Sequence, residues 1–240
     1  MNVVLIGGPD RETAVNIIYA ACRQCYSPGF VGDDFPFENV SKFKKKELIQ
    51  RVVSSGHVST IEHVAYTFAI QDVSRGLQQQ LTRHRLANFS IQSTRYNDVE
   101  NMGFWKAPAI ERNEILSKEY DEFLKTAAGF YRHLMNEGIS KEDARDVLPL
   151  ALNSNIVMTM NCRELIHFFE LRLCMKAQKE IRDLAKEMLK ICQIQLPEVF
   201  ENIGPKCRQM GYCNEGKRSC GLMPLKEDVF RIYSENKPSN

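Results

Sequence analysis

The sequence has little of what marks a membrane, secreted or nucleic-acid-binding protein. No stretch approaches the roughly 20 consecutive apolar residues that a membrane-spanning helix needs. The first residues, MNVVLIGG, lack the basic flank and cleavage region of a signal peptide and are typical of a buried strand. The net charge is only +2 and the pI about 8.1, so no global field attracts the chain to nucleic acid or membrane. These absences predict a cytoplasmic protein with no membrane and no nucleic-acid partner.

Two common phosphate-binding motifs are also absent. Neither GxGxxG nor GxxxxGK[ST] occurs, which argues against a Rossmann or P-loop nucleotide site. The chain has 240 residues, of which 43% are hydrophobic and 26% charged, as in ordinary globular proteins. That length suffices for a well-buried core.

Eight cysteines in a cytoplasmic chain are expected to be reduced thiols, metal ligands or redox groups rather than disulfides. Five follow apolar patterns and are interpreted as small core residues: Cys22, Cys25, Cys162, Cys174 and Cys192. Cys207, Cys213 and Cys220 lie near the end, with spacings looser than the usual pairs of a structural zinc site. Two hypotheses stay open: reduced thiols in a folded loop, or a metal clip completed by a fourth cysteine such as Cys192 or one of the pair Cys22/Cys25. We predict no metal in the active site.

Hydrophobic periodicity predicts an α+β fold, a helix-rich single domain with a modest β-sheet and no Rossmann motif. Strands are predicted near 1–8, 63–71 and 156–160, and helices over 12–23, 43–54, 73–84, 111–136, 141–148 and 162–193. The main folded domain is expected to span 1–200. An irregular C-terminal tail is expected over 201–240.

Polar residues interrupt two of the predicted apolar helix faces. Gln80 and His84 fall within the stripe formed by Val73, Leu77 and Leu81. Such positions either line a polar pocket or hold satisfied core hydrogen-bonding groups. The helix starting at 162 is apolar nearly all round except for three residues, Arg163, His167 and Arg172. The alternative to a polar pocket there is a solvated helix face, on which Arg172 packs its aliphatic part against apolar residues and keeps its charge in water.

Six arginines lie beside apolar or turn-forming sequence rather than in a charge run: Arg83, Arg85, Arg95, Arg145, Arg163 and Arg172. Arginine suits bidentate phosphate binding, so the pattern indicates a nucleotide substrate together with a dinucleotide cofactor. A nucleic-acid-binding module is the alternative, although such domains usually carry a basic stripe and a pI above about 9.

The segment RHRLANFSIQSTRY, residues 83–96, resembles the RHR–seven residues–SxR(Y) motif of flavin-dependent thymidylate synthases. Three further blocks resemble that family in order and spacing: HVSTIEHVAYTF (57–68), ARDVLP (144–149) and MNCRELIHFFELR (160–172). Gln80 also stands where the family has a glutamine. The resemblance covers roughly residues 1–200.

The resemblance implies an FAD-dependent methyltransferase that converts dUMP to dTMP. The family takes a methylene group from methylenetetrahydrofolate and a hydride from FADH2, and NADPH recharges the flavin. It works as a homotetramer whose active sites are shared between subunits, and it uses no protein nucleophile. An NADPH-oxidising flavoprotein without methyl transfer stays open as the alternative activity.

By position, the resemblance assigns dUMP binding to Gln80, Leu81, Thr82, Arg83, Ile91, Gln92, Ser93, Thr94, Arg95, Arg145 and Arg172. It assigns FAD binding to Ser59, Arg83, His84, Arg85, Ile91, Asn161, Cys162, Arg163 and His167, with His57 and Glu62 in support. The resemblance also implies that Arg172 lies against the uracil ring and favours its N3-ionised form, which makes it the residue nearest to a catalytic one. Three positions depart from the family pattern: Ile91 replaces glutamine or glutamate, Asn88 replaces serine, and Cys162 replaces alanine.

Overall fold

The computed structural model describes residues 1–97, 99 and 102–235, without the side chains of 233–235. These residues form two compact units, each assembled from two separate chain segments. Unit 1 consists of Met1–Gly8 and Ala65–Met160, and unit 2 of Pro9–Val64 and the chain from Asn161 onward. The predicted helix-rich α+β class is confirmed.

Unit 1 contains the antiparallel sheet, which within the described residues has four strands in the order β1-β2-β4-β3. The strands are β1 (Asn2–Gly7), β2 (Ala65–Ser74), β3 (Ala87–Ile91) and β4 (Asn153–Asn161). β3 pairs with β4 from Ala87 opposite Met160 to Ile91 opposite Ile156. Because successive strand residues point to opposite faces, Phe68 and Ile70 of β2 are buried while Gln71 is exposed.

Four helices accompany the sheet in unit 1: α3 (Arg75–Leu81), α4 (Pro108–Glu111), α5 (Glu114–Asn136) and α6 (Lys141–Ala144). A 3-10 turn, Arg145–Val147, follows α6. Ser140, predicted to open a capping box, caps α6: its hydroxyl accepts from the backbone N–H of Asp143 at 3.3 Å and donates to the Asp143 carboxylate at 2.8 Å. A separate small core packs under the loops of this unit and consists of Val99, Met102, Tyr131, Ala144 and Leu152.

Unit 2 is helical. Its helices are α1 (Arg11–Gln24), α2 (Lys42–Ser54), α7 (Cys162–Arg172), α8 (Lys179–Gln195), α9 (Pro197–Phe200), α10 (Lys206–Met210) and α11 (Lys226–Glu235). Short 3-10 helices occur at Val31–Asp33, Val58–Ile61 and Gly216–Arg218. The rings of Phe168, Phe169 and Phe200 are fully buried and meet edge to face in its core.

Some predicted boundaries were wrong. The helix predicted over 162–193 is two helices, and Arg182 Nη1 holds the turn between them by donating to the carbonyls of Met175 and Ala177. The helix predicted from 73 begins at Arg75 because β2 continues to Ser74, whose hydroxyl caps the N–H of Leu77. β3 was not predicted. The tail expected to be irregular contains α10 and α11.

Among the described residues, no helix combines the length and the apolar composition required to cross a bilayer.

Candidate active site

The residues that follow α3 carry the first block of predicted ligand contacts. Val73, Leu77 and Leu81 are fully buried, as the periodicity predicted. The helix ends at Leu81, and the chain leaves it in tight turns, with the His84 N–H donating to the Leu81 carbonyl at 3.1 Å. His84 is 3% exposed, whereas Arg83 is exposed. The early end of the helix therefore places the Arg83 side chain at the surface of unit 1.

The loop after β3 is fixed by its own side chains. Gln92 donates its N–H to the Asn155 carbonyl at 2.9 Å and accepts from the Asn155 N–H at 3.1 Å. The Ser93 hydroxyl accepts from the Arg95 N–H at 3.1 Å. Arg95 Nη2 lies 2.8 Å from the Glu142 carboxylate in an exposed ion pair. Gln92 and Ser93 thus shape this loop, and the Arg95 guanidinium already has an anionic partner.

Arg75, at the start of α3, contacts this loop and was not among the predicted site residues. Its Nη2 donates to the Gln92 carbonyl at 2.7 Å and its Nη1 to the Gln78 side-chain oxygen at 3.1 Å. Its Nε is buried and has no hydrogen-bond partner among the described residues. Burial, followed by the charge of Arg145, lowers the pKa of Arg75. The two neighbouring guanidinium groups, together with the unsatisfied Nε donor, are suited to binding an anion. In the sequence, the only sign of this was an arginine at a helix N-terminus, where the helix dipole disfavours positive charge.

In unit 2, α7 presents the second block. Asn161 caps this helix, its Oδ1 accepting from the Glu164 N–H at 2.9 Å. Arg163 and His167 are both exposed and lie four residues apart on one face of the helix. Arg163 forms an ion pair with Glu62, at the end of the 3-10 helix Val58–Ile61. The exposed Ser59 lies in that same 3-10 helix, which packs against α7.

Four predicted contacts have buried side chains: Leu81, His84, Thr94 and Cys162. Burial raises the pKa of the Cys162 thiol well above its usual value, and its N–H donates to the Val64 carbonyl at 2.8 Å.

Arg172, the predicted catalytic residue, is the last residue of α7 and is half-buried. Burial lowers the pKa of its guanidinium. Arginine nevertheless keeps its proton in proteins, so the side chain remains a fixed, partly desolvated cation. Such a group interacts with a developing negative charge more strongly than a fully solvated cation does.

The predicted residues therefore form two groups, each within one unit. Unit 1 brings together those after α3, those in the loop after β3, and Arg145. Unit 2 brings together Ser59 and Glu62 with the residues of α7.

Residues 10–198 match the family model described as thymidylate synthase complementing protein. The chain is 45% identical over 227 residues to the flavin-dependent thymidylate synthase of Nitratidesulfovibrio vulgaris, covering 90% of this chain and 93% of that protein. It is 40% identical over 228 residues to the flavin-dependent thymidylate synthase of Geobacter sulfurreducens, covering 94% and 96%. The chain belongs to the flavin-dependent thymidylate synthase family. Membership confirms the predicted enzyme class, a flavin-dependent methyltransferase.

This thymidylate synthase family member also resembles a solved structure, that of a UMP/dUMP methylase from Streptomyces cacaoi bound with 5-Br dUMP. The TM-score is 0.72 at 24% sequence identity, and the match covers 83% of this chain and 93% of that one. At that identity the likeness establishes a shared fold. The roles of individual residues in this flavin-dependent thymidylate synthase remain predictions.

Proposed function

We propose that the protein methylates dUMP to dTMP, with methylenetetrahydrofolate as carbon donor, FADH2 as hydride source and NADPH as the reductant of the flavin. The curated relatives bear the name of this activity, and the solved structure of similar fold is named for dUMP methylation. One observation in the chain itself carries the proposal: the half-buried Arg75 beside Arg145, with a donor that has no partner among the residues the structure describes.

The dUMP phosphate is proposed to bind between Arg75, Arg145 and the loop after β3. A phosphate oxygen would accept from Arg75 Nε, and its negative charge would offset the repulsion between the two guanidinium groups. The Gln92 carbonyl and the Gln78 side chain hold the Arg75 guanidinium in place before the ligand arrives. A preorganised donor loses little conformational entropy on binding.

The flavin is proposed to have two groups of contacts: Arg83, His84 and Arg85 in one, and Ser59, Asn161, Arg163 and His167 in the other. Exposed cationic and hydroxyl groups suit the diphosphate and ribityl oxygens of FAD. The Glu62–Arg163 ion pair fixes the Arg163 guanidinium, and the cap uses only the oxygen of Asn161, leaving its amide N–H2 as a donor. When bound, FAD supplies the hydride chemistry, and the chain binds and orients it.

Arg172 is proposed to lie against the pyrimidine. A desolvated cation beside the uracil ring stabilises negative charge as it develops there, without moving a proton. This role requires no protein nucleophile, in keeping with the burial of Cys162 and Cys192 and the raised pKa values that burial gives their thiols.

A homotetramer is proposed, with active sites shared between subunits. The helix α5 supports this because it exposes an apolar stripe at seven-residue spacing: Leu116 at 50%, Phe123 at 60% and Phe130 at 50% exposure. Large apolar side chains aligned on one helix face mark an interaction surface. We also propose that residues 1–200 are the catalytic domain and that the enzyme works in the cytoplasm.

The test is a dTMP-formation assay on the purified protein with dUMP, methylenetetrahydrofolate, NADPH and FAD, under anaerobic conditions. We expect dTMP only when all four are present, and product loss when methylenetetrahydrofolate alone is left out. NADPH oxidation in the complete mixture without any dTMP would instead identify a flavoprotein oxidase and overturn the proposal.

A further inference from the structure

Four of the eight cysteines line one cavity of about 510 Å³ within unit 2: Cys174, Cys207, Cys213 and Cys220. Cys174 follows the end of α7, and the other three belong to the tail. From the sequence, the expected fourth partner of the tail cysteines was Cys192 or one of the pair Cys22/Cys25. The structure places Cys174 in that position instead.

The backbone holds these cysteines around the cavity. The Cys174 carbonyl accepts from the Ala177 N–H at 2.9 Å, in the turn that Arg182 fastens. Cys213 donates its N–H to the Pro224 carbonyl at 2.7 Å and accepts from the Lys226 N–H at 3.2 Å. Gly211, with φ of 75°, ends α10 and turns the chain between Cys207 and Cys213. This local structure orders a segment that has little apolar sequence of its own.

Charged side chains also line the cavity. Lys176, Lys206 and Arg208 would offset the negative charge of a centre with four thiolate ligands, and the carboxylates of Glu170 and Glu215 belong to the same lining.

The spacing of the sulfurs distinguishes between metals. A tetrahedral zinc with Zn–S bonds of about 2.3 Å draws its sulfurs to about 3.8 Å from one another. Within the part of the chain that the structure describes, no three of these cysteine sulfurs lie within 4.8 Å of one another. An iron–sulfur cluster is larger and takes one thiolate at each corner, so its ligands surround a cavity.

We propose that Cys174, Cys207, Cys213 and Cys220 bind an iron–sulfur cluster of the [4Fe–4S] type. The cluster ties the tail to the C-terminal end of α7 and has a structural role. The inference does not rest on the proposed reaction with dUMP, and its test does not use enzyme activity.

The test is elemental analysis of full-length protein that is expressed and purified without exposure to oxygen. We expect about four irons and four acid-labile sulfides per chain, and a Mössbauer spectrum of a cubane cluster that flavin cannot produce. Stoichiometric zinc without iron would overturn the proposal. So would protein that holds no iron both as purified and after reconstitution with ferrous iron and sulfide.

Serine variants of two proposed cluster ligands test which cysteines bind the iron. Cys207→Ser and Cys213→Ser should each lower the iron content at least about tenfold, because a hydroxyl replaces a thiolate ligand. Cys25→Ser is the matched control, since Cys25 is an exposed thiol of the same unit outside the cavity. Full iron content in the Cys207 or Cys213 variant would refute the assignment. If these variants fail to fold, the analysis of the unmodified protein still decides the question.

Discussion

Replacing Arg75 tests the proposed phosphate site most directly. Its guanidinium is half-buried, held by Gln92 and Gln78, and keeps one buried donor without a partner among the described residues. In Arg75→Ala that donor and one of two neighbouring positive charges are removed. Hydrogen bonds to charged groups contribute about 1.5–3 kcal/mol. Because each 1.4 kcal/mol is tenfold in affinity, the Kd for dUMP should rise by roughly 10- to 150-fold.

Isothermal titration calorimetry with two ligands isolates the phosphate contribution. Deoxyuridine, which lacks the phosphate, should bind the variant and the unmodified protein with Kd values within about threefold of each other. Inorganic phosphate should raise the melting temperature of the unmodified protein and have little effect on the variant, because only the former has the anion site. Arg112→Ala is the control, since Arg112 is an exposed arginine of the same unit that follows α4.

The reasoning would be refuted by a folded Arg75→Ala protein that binds dUMP as tightly as Arg112→Ala does. Equal losses of dUMP and deoxyuridine affinity would also refute it, since they would place Arg75 at the nucleoside instead of the phosphate.

Three further outcomes are expected. Arg172→Ala should abolish dTMP formation while the protein keeps its flavin absorbance, and near-normal turnover would remove Arg172 from the pyrimidine site. Asn161→Ala should lower the free energy of unfolding, measured in urea, by about 1 kcal/mol because the α7 cap is lost. Asn161→Asp keeps a capping oxygen and should retain most of that stability. Equal losses in the two variants would contradict the capping argument. Phe123→Asp should shift the assembly to smaller species in light scattering. Phe43→Asp, which changes an exposed phenylalanine outside α5, should leave the assembly unchanged. An unchanged assembly in both variants would exclude the α5 stripe as an interface.

The burial pattern and most elements followed from the sequence because they depend on local periodicity. Val73, Leu77 and Leu81 were predicted as one buried stripe and are fully buried. The break between α7 and α8 was not predictable, since no glycine or proline interrupts residues 162–193, and the turn is held by Arg182 from the following helix. β3 was missed because a five-residue strand between motif residues gives a weak alternation signal.

The membership of the candidate site stays a prediction, and the hydrogen bonds and ion pairs within it could not be predicted from the sequence. Motif resemblance named Arg95 and Arg163, yet only the structure pairs them with Glu142 and Glu62. Arg75 lay outside the motif, and its proposed role rests on its contact with Gln92, seventeen residues away. The cavity of four cysteines is likewise a product of folding, because the helices α8 and α9 lie between Cys174 and Cys207.

The strand order of the sheet has a consequence for synthesis on the ribosome. β4 lies between β2 and β3, so β3 has no neighbour in the sheet until β4 has been made. About seventy residues separate the ends of β3 and β4, which at about 5–20 residues per second amounts to roughly 4–14 s. During that time β2 and β3 both present unpaired backbone edges to other nascent chains. Slow translation of residues 92–152 should therefore favour aggregation, and chaperones that cover strand edges should raise the yield of folded enzyme.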